Sequence, residues 1–560
     1  MTSHRITVGH RVLATVAATA VVASLSWGGA ATGNQQGPSR QAQSPSRHLS
    51  IRCASNKLCP DIIDSKRVYG ADKYVGHDEP SLLFYSNKAG AGNRMRYNIT
   101  LPKEPPASHP RQPGKSYNFE LNGALWFGMA LCDTQSYPEQ VRTCKPDSDR
   151  NVVDPAKSPK HPGTAFMELQ FYPPGWVPWP TWAVAVGADT CSPTKWCAAL
   201  NVFSLLDDPV HGKLQNSSCA ARVGIETFQF AFVTRNGRAQ APANPLDSTL
   251  KTFTPNARQD LFMNSGDRLA LAIHDTPQGV QAHINDLTNH KSGSMTASPS
   301  NGFKQIKFAP TGKSCKGIPY AFHPMYSTAS ERTRVIWAAH SYNVAFSDEI
   351  GHFQFCNGAT VPKTPFGLDA KGNPVTCPAG NTEGSGARKE ATDEDDDFCF
   401  PASASLLYQV QGCTDTNTGF DGVSYTRVWP DGNSKLHPTP FQFTGARTGK
   451  HFQQKYKRIA FEADLPAVEP PCDVTTGKGC THIPRTDDGV PAKFYPFFTN
   501  TNVRGSCTWQ FGNNTPGQTR NFGQDRQYGS LLSSTYLAFG GGGKTVKRFN
   551  NFRNIMPNRC

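Results

Sequence analysis

Residues 166–172 alternate apolar and polar side chains. Because successive side chains of a β-strand point to opposite faces, Glu168, Gln170 and Tyr172 should share one face of the strand. A carboxylate, an amide and a phenol in a row on an open sheet face could bind the hydroxyl groups of a sugar. The alternative is that the same side chains only face water.

Three tryptophans follow this segment among prolines, namely Trp176, Trp179 and Trp182. Flat aromatic rings stack on the faces of pyranose sugars. Together with Tyr172 they are the candidate substrate-binding residues. The alternative is a cluster of rings that fills a loop.

Glycoside hydrolysis needs two carboxylates, roughly 5 to 10 Å apart across a cleft. Glu168 is the first candidate, and Glu349, in a Ser-Asp-Glu segment, is the second. The closely spaced acidic patterns of sandwich glycosidases, such as ExDxxE, are absent from the chain. The sequence therefore leaves open whether the protein is an enzyme, and glycoside hydrolase is the enzyme class that it favours.

The candidate metal ligands lie near residues 415–422. Asp415, Asn417 and Asp421 offer oxygens from one glycine-containing loop, which resembles a DxDxDG calcium loop with one acidic position replaced by glycine. Asp395 and Asp397, in an acidic run just before this loop, could complete the shell. Calcium is the expected ion, and a solvated acidic linker is the alternative.

Short segments with period-two alternation recur throughout residues 53–356, with turn residues between them. No window of comparable length has a convincing helical period. The sequence predicts a mostly β protein, with a large sandwich or jelly roll followed by smaller β-rich accessory modules.

The passages Met263-Asn264-Ser265-Gly266-Asp267-Arg268-Leu269 and Ala282-His283-Ile284-Asn285-Asp286-Leu287-Thr288 carry a resemblance. A strand, an Asp-containing turn and a second strand in this order resemble the concanavalin-like jelly-roll sandwiches, an architecture shared by lectins and by glutamic peptidases. The whole chain also resembles a group of large secreted proteins of high-GC soil bacteria. The resemblance implies a fold and no particular activity, because lectins, glycosidases, lyases and peptidases use this scaffold.

A glutamic-type acid endopeptidase is the alternative enzyme class. In that family a glutamate acts as general base and a glutamine stabilises the tetrahedral oxyanion. Glu168 and Gln170 have the right side chains, but they lie on one strand, whereas the family takes the pair from separate strands. A lectin-like or wall-associated binding protein without turnover is the non-enzymatic alternative.

Composition shifts divide the chain into segments. The segments are a signal peptide (1–31), a disordered lead-in (32–52), the β-sandwich (53–356), a linker rich in Pro and Gly (357–392), a small β module with the candidate calcium loop (393–468) and a C-terminal disulfide-stapled module (469–560).

The N-terminus has the three parts of a signal peptide. Arg5 and Arg11 precede or open an apolar run, and small residues follow near position 30. No later segment is apolar enough to span a membrane. We therefore expect a secreted, extracellular protein.

All 16 cysteines lie beyond the expected cleavage site, and an even number in an exported chain predicts disulfides. A structural zinc site is disfavoured because the chain has no CxxC pair. Near neighbours such as Cys132 with Cys144 and Cys191 with Cys197 are plausible staples. The sequence leaves other cysteines unassigned, among them Cys219, Cys315, Cys507 and Cys560.

The formal net charge of +14 favours anionic partners such as acidic polysaccharides or wall polymers. In the sequence the basic residues are scattered singly and form no stripe with interleaved aromatics. This pattern disfavours nucleic acid as the partner and favours a generally basic surface of a secreted protein. The sequence thus predicts a protein that binds extracellular polysaccharide. Cleavage of that polysaccharide is the enzymatic alternative.

Overall fold

The computed structural model describes residues 81–104, 124–136, 164–174, 192–208, 213–223, 226–325, 329, 344–349, 439–465, 498–511, 521–522 and 530–560, a few single positions and pairs within these ranges excepted. The predicted signal peptide, lead-in and linker lie outside the described residues. So do Trp176, Trp179, Trp182 and all five predicted calcium ligands.

Strands dominate the described residues, and they are numbered β1 to β26 in chain order. The first half of the chain contributes β1 (Ser81–Tyr85), β2 (Arg94–Thr100), β3 (Ala124–Cys132), β4 (Thr164–Tyr172), β5 (Cys197–Leu205), β6 (Asp207–Asp208), β7 (Lys213–Leu214), β8 (Glu226–Phe232), β9 (Arg268–Thr276) and β10 (Gly279–Asp286). The rest are β11 (Lys291–Thr296), β12 (Lys304–Ile306), β13 (Gly317–Pro319), β14 (His323–Pro324), β15 (Val344–Glu349), β16 (Phe441–Thr444), β17 (Arg447–Thr448), β18 (Gln454–Lys455), β19 (Arg458–Glu462), β20 (Asp464–Leu465), β21 (Phe498–Val503), β22 (Ser506–Phe511), β23 (Asn521–Phe522), β24 (Ser530–Gly540), β25 (Gly543–Arg553) and β26 (Met556–Pro557).

Helices are short in the described part of the chain. They are α1 (Ser217–Val223), α2 (Leu250–Phe253) and one 3₁₀ turn (Pro299–Asn301). None of the described helices is both long and apolar enough to cross a bilayer. The prediction of a mostly β fold is confirmed.

Two antiparallel sheets make up the body of the molecule. In the first sheet the strand order is β26-β19-β1-β15-β3-β4-β5-β8, with β14 added beside β3. In the second sheet the order is β11-β10-β9-β2-β16-β22-β21-β23, with β17 and β18 added beside β2. The strand pairs within both sheets are antiparallel, as a sandwich of hairpins and returning strands requires.

Aromatic side chains fill the space between the two sheets. Phe127 of the first sheet lies with its ring centroid 4.5 Å from that of Tyr97 of the second. Phe346 of the first sheet stacks on Phe443 of the second at 4.2 Å. All four belong to one continuous buried core. The sheets therefore pack face to face as a β-sandwich.

The sequences of the strands distinguish the two sheets. In the first sheet β3 reads ALWFGMALC, and its described side chains are buried on both faces. In the second sheet β2 reads RMRYNIT, with every second residue buried and the others exposed or half-buried. A near-continuous apolar strand needs cover on both sides, whereas an alternating strand needs it on one. The second sheet therefore presents a solvent-facing outer surface.

The predicted division into a sandwich and separate C-terminal modules needs correction. Strand β19 pairs along its whole length with β1, and β16 pairs with β2. The described strands at 441–462 and 498–511 thus complete the same two sheets that begin at residue 81. A boundary in composition at residues 357–392 does not mark a boundary in the fold, because strand pairing depends on register and not on distance along the chain.

Every described cysteine is disulfide-bonded. Cys219 of α1 pairs with Cys315, which precedes β13, and Cys507 of β22 pairs with Cys560. Cys132 and Cys197 are also bonded, and their predicted partners Cys144 and Cys191 lie outside the described residues. Both fully described pairs join cysteines that the sequence alone could not assign.

Candidate functional site

The predicted polar row lies on one face of β4. Gln170 Nε2 donates a hydrogen bond to Glu168 Oε2 at 2.7 Å, and the Tyr172 hydroxyl donates to Gln170 Oε1. Asn201, directly opposite Glu168 on β5, donates from Nδ2 to the same Gln170 oxygen at 2.5 Å. The prediction that the three residues share a face is confirmed, and Asn201 joins them.

The prediction that this row lines an open face is wrong. Glu168 is 3% exposed, and Gln170 and Tyr172 are each 1% exposed. On the same face an apolar cluster is also buried, formed by Leu83, Tyr85, Trp126, Ala345 and Ala460 with Ile555 packed against it. A polar group buried in this way must be hydrogen-bonded to persist, and the row satisfies that requirement internally.

The hydrogen bonds of Gln170 bear on the peptidase alternative. Its amide nitrogen donates to the Glu168 carboxylate, and its amide oxygen accepts from two partners. In this arrangement the amide is committed to neighbouring side chains rather than to a substrate oxyanion. The roles of Glu168 as base and Gln170 as oxyanion donor remain predictions.

The second predicted carboxylate, Glu349, ends strand β15. Its backbone lies opposite Ala124 of β3, whereas Glu168 lies opposite Gly128 on the other side of β3. Two strand spacings and four residues along β3 place the Cα atoms of Glu168 and Glu349 about 16 Å apart. The pairing of these carboxylates across a cleft stays a prediction, because the side chain of Glu349 is not among those described.

Elsewhere in the described residues, no group of three or more His, Cys, Asp or Glu side chains is placed to hold a metal ion. The expectation of calcium depends on residues 393–422, which lie outside the description. The described part of the chain therefore offers a candidate site of a different kind.

The outer face of the second sheet forms a shallow trough. Its floor is β9, where Ala270 and Ala272 present only methyl groups between the longer side chains of the strands on either side. The walls are Arg94, Arg96 and Asn98 on β2 and Gln281, His283 and Asn285 on β10, all of them exposed or half-buried. We call these eight residues, together with His274, Arg268 and Arg447, the cationic trough.

Basic side chains lie opposite one another on neighbouring strands of this face. Arg96 lies directly opposite Arg447 on β17, and Arg94 lies directly opposite His274, which carries charge only when its ring is protonated. Like charges directly opposite in an antiparallel pair are destabilising. The free protein therefore carries a repulsion between positive side chains that a bound anion would reduce.

Arg94 is held in place at one end of the trough. Its Nη1 donates to the Lys450 carbonyl oxygen at 3.0 Å, and its guanidinium lies over the ring of Phe452 at 5.9 Å. These contacts fix the guanidinium without neutralising its charge. Arg268 stands at the other end, opposite Thr100.

No carboxylate faces the trough from the described strands that form it. The acidic residues of β9 and β10 belong to the opposite face or to the turns. Asp275 lies on the inner side of the sheet, where its Oδ1 is 2.7 Å from His323 Nδ1. Asp286 accepts hydrogen bonds from the backbone amides of Thr288 and Asn289 in the turn between β10 and β11. The positive charge of the trough is thus uncompensated by described neighbours.

Two histidines contribute to this charge only when protonated. Burial, Arg94 and His283 hold the pKa of His274 below its usual value, and burial lowers the pKa of His283. Both rings are therefore neutral in the free protein at neutral pH. Arginines alone supply the fixed charge of the trough.

The trough was not predicted from the sequence, where basic residues stood singly. The strand that holds Arg94 and Arg96 is far in sequence from Arg268 and from Arg447, and only the β2-β9 and β2-β17 registers unite them. The available signal was the alternation in RMRYNIT, which places two arginines and an asparagine on one face.

Comparison of the chain with protein-family models, with curated proteins and with solved structures finds no match. Function is therefore inferred from the chemistry of the trough.

Proposed function

We propose that this protein binds acidic polysaccharide along the cationic trough, outside the cell. The observation that supports the proposal is the opposition of Arg96 to Arg447 on a sheet face where no described residue supplies a carboxylate. A surface that gathers like charge at a cost in stability gains most when an anion binds.

The side chains of the trough suit a charged sugar chain. Guanidinium groups bind carboxylate or sulfate in bidentate fashion, while amides such as Asn98 and Gln281 can bind hydroxyl groups. From Arg94 to Arg268 the trough spans six residues of strand, about 20 Å. That length accommodates several sugar units lying parallel to β9.

Nucleic acid fits this face less well. Single strands are bound by aromatic side chains on which bases stack, in addition to positive charge. Among the described residues of the trough none is aromatic except the two histidines, and the nearby Phe452 lies against Arg94. An anionic glycan needs no stacking platform.

Export fits the described cysteines, all of which are disulfide-bonded. Cleavage of a polysaccharide bound here would need carboxylates at the trough. Because the described residues place none there, we propose binding without turnover at this face. Glycan cleavage at Glu168 would be a separate activity, detectable as new reducing ends.

The proposal is tested by affinity electrophoresis against polygalacturonate, dextran sulfate and the neutral polymers dextran and laminarin. We expect retardation by both acidic polymers, weakened by salt, and none by the neutral ones. Arg268→Gln should reduce the retardation. Lys313→Gln, which removes one charge from the turn between β12 and β13, is the matched control and should not.

Equal retardation by neutral and acidic polymers would contradict the proposal. If a second copy of the chain covers the trough instead, sedimentation will show a dimer that dissociates when the Arg268→Gln substitution is made, and no acidic polymer will bind.

A further inference from the structure

The two histidines of the trough occupy positions where a bound anion would act on them directly. His274 is opposite Arg94 on one side and Gln281 on the other, and His283 is opposite Ala272 and Ser294. The rings thus lie diagonally across the pair β9-β10, on the same face as the arginines. Ala272 separates His283 from Arg96 with only a methyl group.

Among the described residues, the charged groups on the strands beside these histidines are positive. Strand β2 contributes Arg94 and Arg96, and β17 contributes Arg447. The turn after β17 holds Lys450, whose backbone oxygen accepts a hydrogen bond from Arg94, and His451. The described residues that face them from β10 and β11 are neutral, being Gln281, Asn285, Ser294 and Thr296. Asp275, next to His274 in sequence, lies on the other face against His323.

Hydrogen bonding selects the tautomer of the neutral His283 ring. Asn285 Nδ2 lies 3.4 Å from His283 Nδ1, and an amide nitrogen can only donate, so the neutral ring carries its proton on Nε2. His274 Nδ1 is buried and has no hydrogen-bond partner among the described residues. A second proton on either ring therefore adds charge to a cluster that has no described counter-ion.

We propose that His274 and His283 take up protons when the trough binds a polyanion, so that the same face binds acidic polysaccharide more tightly in mildly acidic surroundings than at neutral pH. This inference rests on the proposed function of the trough. The bound anion supplies the counter-ion that the free face lacks. By thermodynamic linkage, a ligand that favours the protonated rings must itself bind more tightly when the rings are protonated.

Of the causes that hold the histidines neutral in the free protein, the charge of Arg94 beside His274 is the one that a bound anion offsets. Burial and the neighbouring Arg94 lower the pKa of His274, and burial lowers that of His283. An anion beside Arg94 screens its repulsion of His274 and raises the pKa of that ring. Affinity can then rise by at most about tenfold per pH unit for each proton taken up.

Dextran sulfate is the probe, because sulfate esters keep their charge from pH 5 to pH 7.5 and any pH response therefore comes from the protein. Affinity is measured by calorimetric titration of the full chain at both pH values, in two buffers of different ionisation enthalpy so that proton uptake is counted directly. The variants are the double substitution His274→Gln with His283→Gln, and His290→Asn as control. His290 is exposed in the β10-β11 turn at φ 56°, a conformation that asparagine tolerates.

For the wild-type chain and His290→Asn we expect several-fold tighter binding at pH 5, with proton uptake. Whatever its affinity at pH 7.5, the double variant should lose most of the increase in affinity between pH 7.5 and pH 5 and most of the proton uptake. The contrary result is a double variant that binds in a salt-sensitive way with the same pH response and proton uptake as the wild-type chain. That result would overturn the inference about the histidines and leave the proposed function standing. No salt-sensitive binding at either pH would overturn both. Circular dichroism of each variant at both pH values checks that it is folded.

Discussion

Asp133, at the end of β3, is a buried carboxylate whose neighbours all donate to it. Ser204 Oγ and Gln305 Nε2 donate at 2.7 Å each, and the Gln135 amide donates at 2.9 Å. Burial nevertheless raises the pKa of Asp133 to about 6, from an ordinary 3.8. Desolvation of the charged form therefore outweighs the hydrogen bonds that stabilise it.

This shift predicts a pH dependence of stability with a definite sign. A raised pKa in the folded state means that the folded protein binds the proton more tightly than the unfolded chain. The contribution of Asp133 is therefore present in full below about pH 4 and is lost as pH rises through about 6, by roughly 3 kcal/mol at most. Asp133→Asn should remove this contribution, so that the free energy of unfolding changes less between pH 4 and pH 7 than in the wild-type chain.

Asp247 provides the control for that measurement. It pairs with Lys304, its side chain is 44% exposed, and the hydrogen bond from Lys304 holds its pKa below the usual value. Asp247→Asn should therefore act in the opposite direction, removing a contribution that is lost on acidification. Denaturant unfolding at the two pH values distinguishes the variants, and an unchanged pH dependence in Asp133→Asn would contradict the assignment.

Gln170 is the residue on which the buried polar row depends. Its side chain hydrogen-bonds with Glu168, Tyr172 and Asn201, so replacement by alanine removes one partner from each. We expect Gln170→Ala to lower the free energy of unfolding by about 2 to 4 kcal/mol. Gln281→Ala, which removes a single half-buried hydrogen bond to Thr296, should cost less than about 1.5 kcal/mol. Equal effects would mean that the row is not a structural network.

At the residue scale the sequence predicted which side chains share a face but not whether that face is open. Alternation along β4 placed Glu168, Gln170 and Tyr172 together, as the structure confirms. Whether a sheet face is covered depends on segments elsewhere in the chain. The neighbouring strand β3 has a nearly continuous apolar sequence, and this pattern indicates that both faces of the sheet are buried.

At the scale of single elements, Gly128 shows how closely β3 packs against its neighbours. A Cβ added at this position would lie 2.4 Å from Trp126 Cζ3 and 3.0 Å from the Met167 backbone oxygen. Trp126 is fully buried, so its ring has no free space into which to move. Gly128→Ala should therefore destabilise the protein by about 1 to 3 kcal/mol through overpacking.

Gly445, between β16 and β17, is the matched control for Gly128. The nearest atom to a Cβ added there is Phe84 Cε1 at 3.6 Å, which is ordinary van der Waals contact. Gly445→Ala should leave stability unchanged or raise it by restricting the unfolded chain. Thermal unfolding of the two variants side by side is the measurement, and equal melting temperatures would contradict the packing described for β3.

At the scale of single elements, the sequence predicted where strands lie but not which strands pair with each other. The alternating segments predicted within residues 53–356 include those that form β3, β4, β8 and β9. The pairing of β1 with both β15 and β19 joins segments that are hundreds of residues apart, and no local pattern encodes it. For the same reason the sequence could not reveal that Arg96 and Arg447 are opposite one another.

At the scale of the whole molecule, strands from both ends of the described chain complete the same two sheets. Cys507 and Cys560 link β22 of the second sheet to the C-terminus, and nearby β26 pairs with β19 of the first. The C-terminal strands β21, β22, β23 and β26 thus belong to the sandwich, whereas β24 and β25 pair with β20 in a sheet of their own. Truncation at residue 392 is expected to unfold the protein rather than release a stable domain, as proteolysis and circular dichroism of that shorter chain would show.

The surface of the sandwich is chemically divided. The outer face of the first sheet is mostly buried, with Phe203, Phe228 and Arg458 half-buried, whereas that of the second is open, cationic and free of described carboxylates. A formal net charge of +14 across the chain adds a long-range field that favours anionic polymers. Affinity for such polymers should come from the one open face rather than from the charge as a whole.

The most direct test of this account measures stability and binding in the same variant, Arg96→Gln. Because Arg96 faces Arg447, its neutralisation should raise the free energy of unfolding by a few tenths to about 1 kcal/mol in the free protein. The same change should weaken binding of polygalacturonate at least about fivefold at low salt, an energy of about 1 kcal/mol. Lys313→Gln, with the same loss of charge away from the trough, should alter neither quantity. An Arg96→Gln variant that binds polygalacturonate as tightly as the wild-type chain would contradict the assignment of the trough as the binding site.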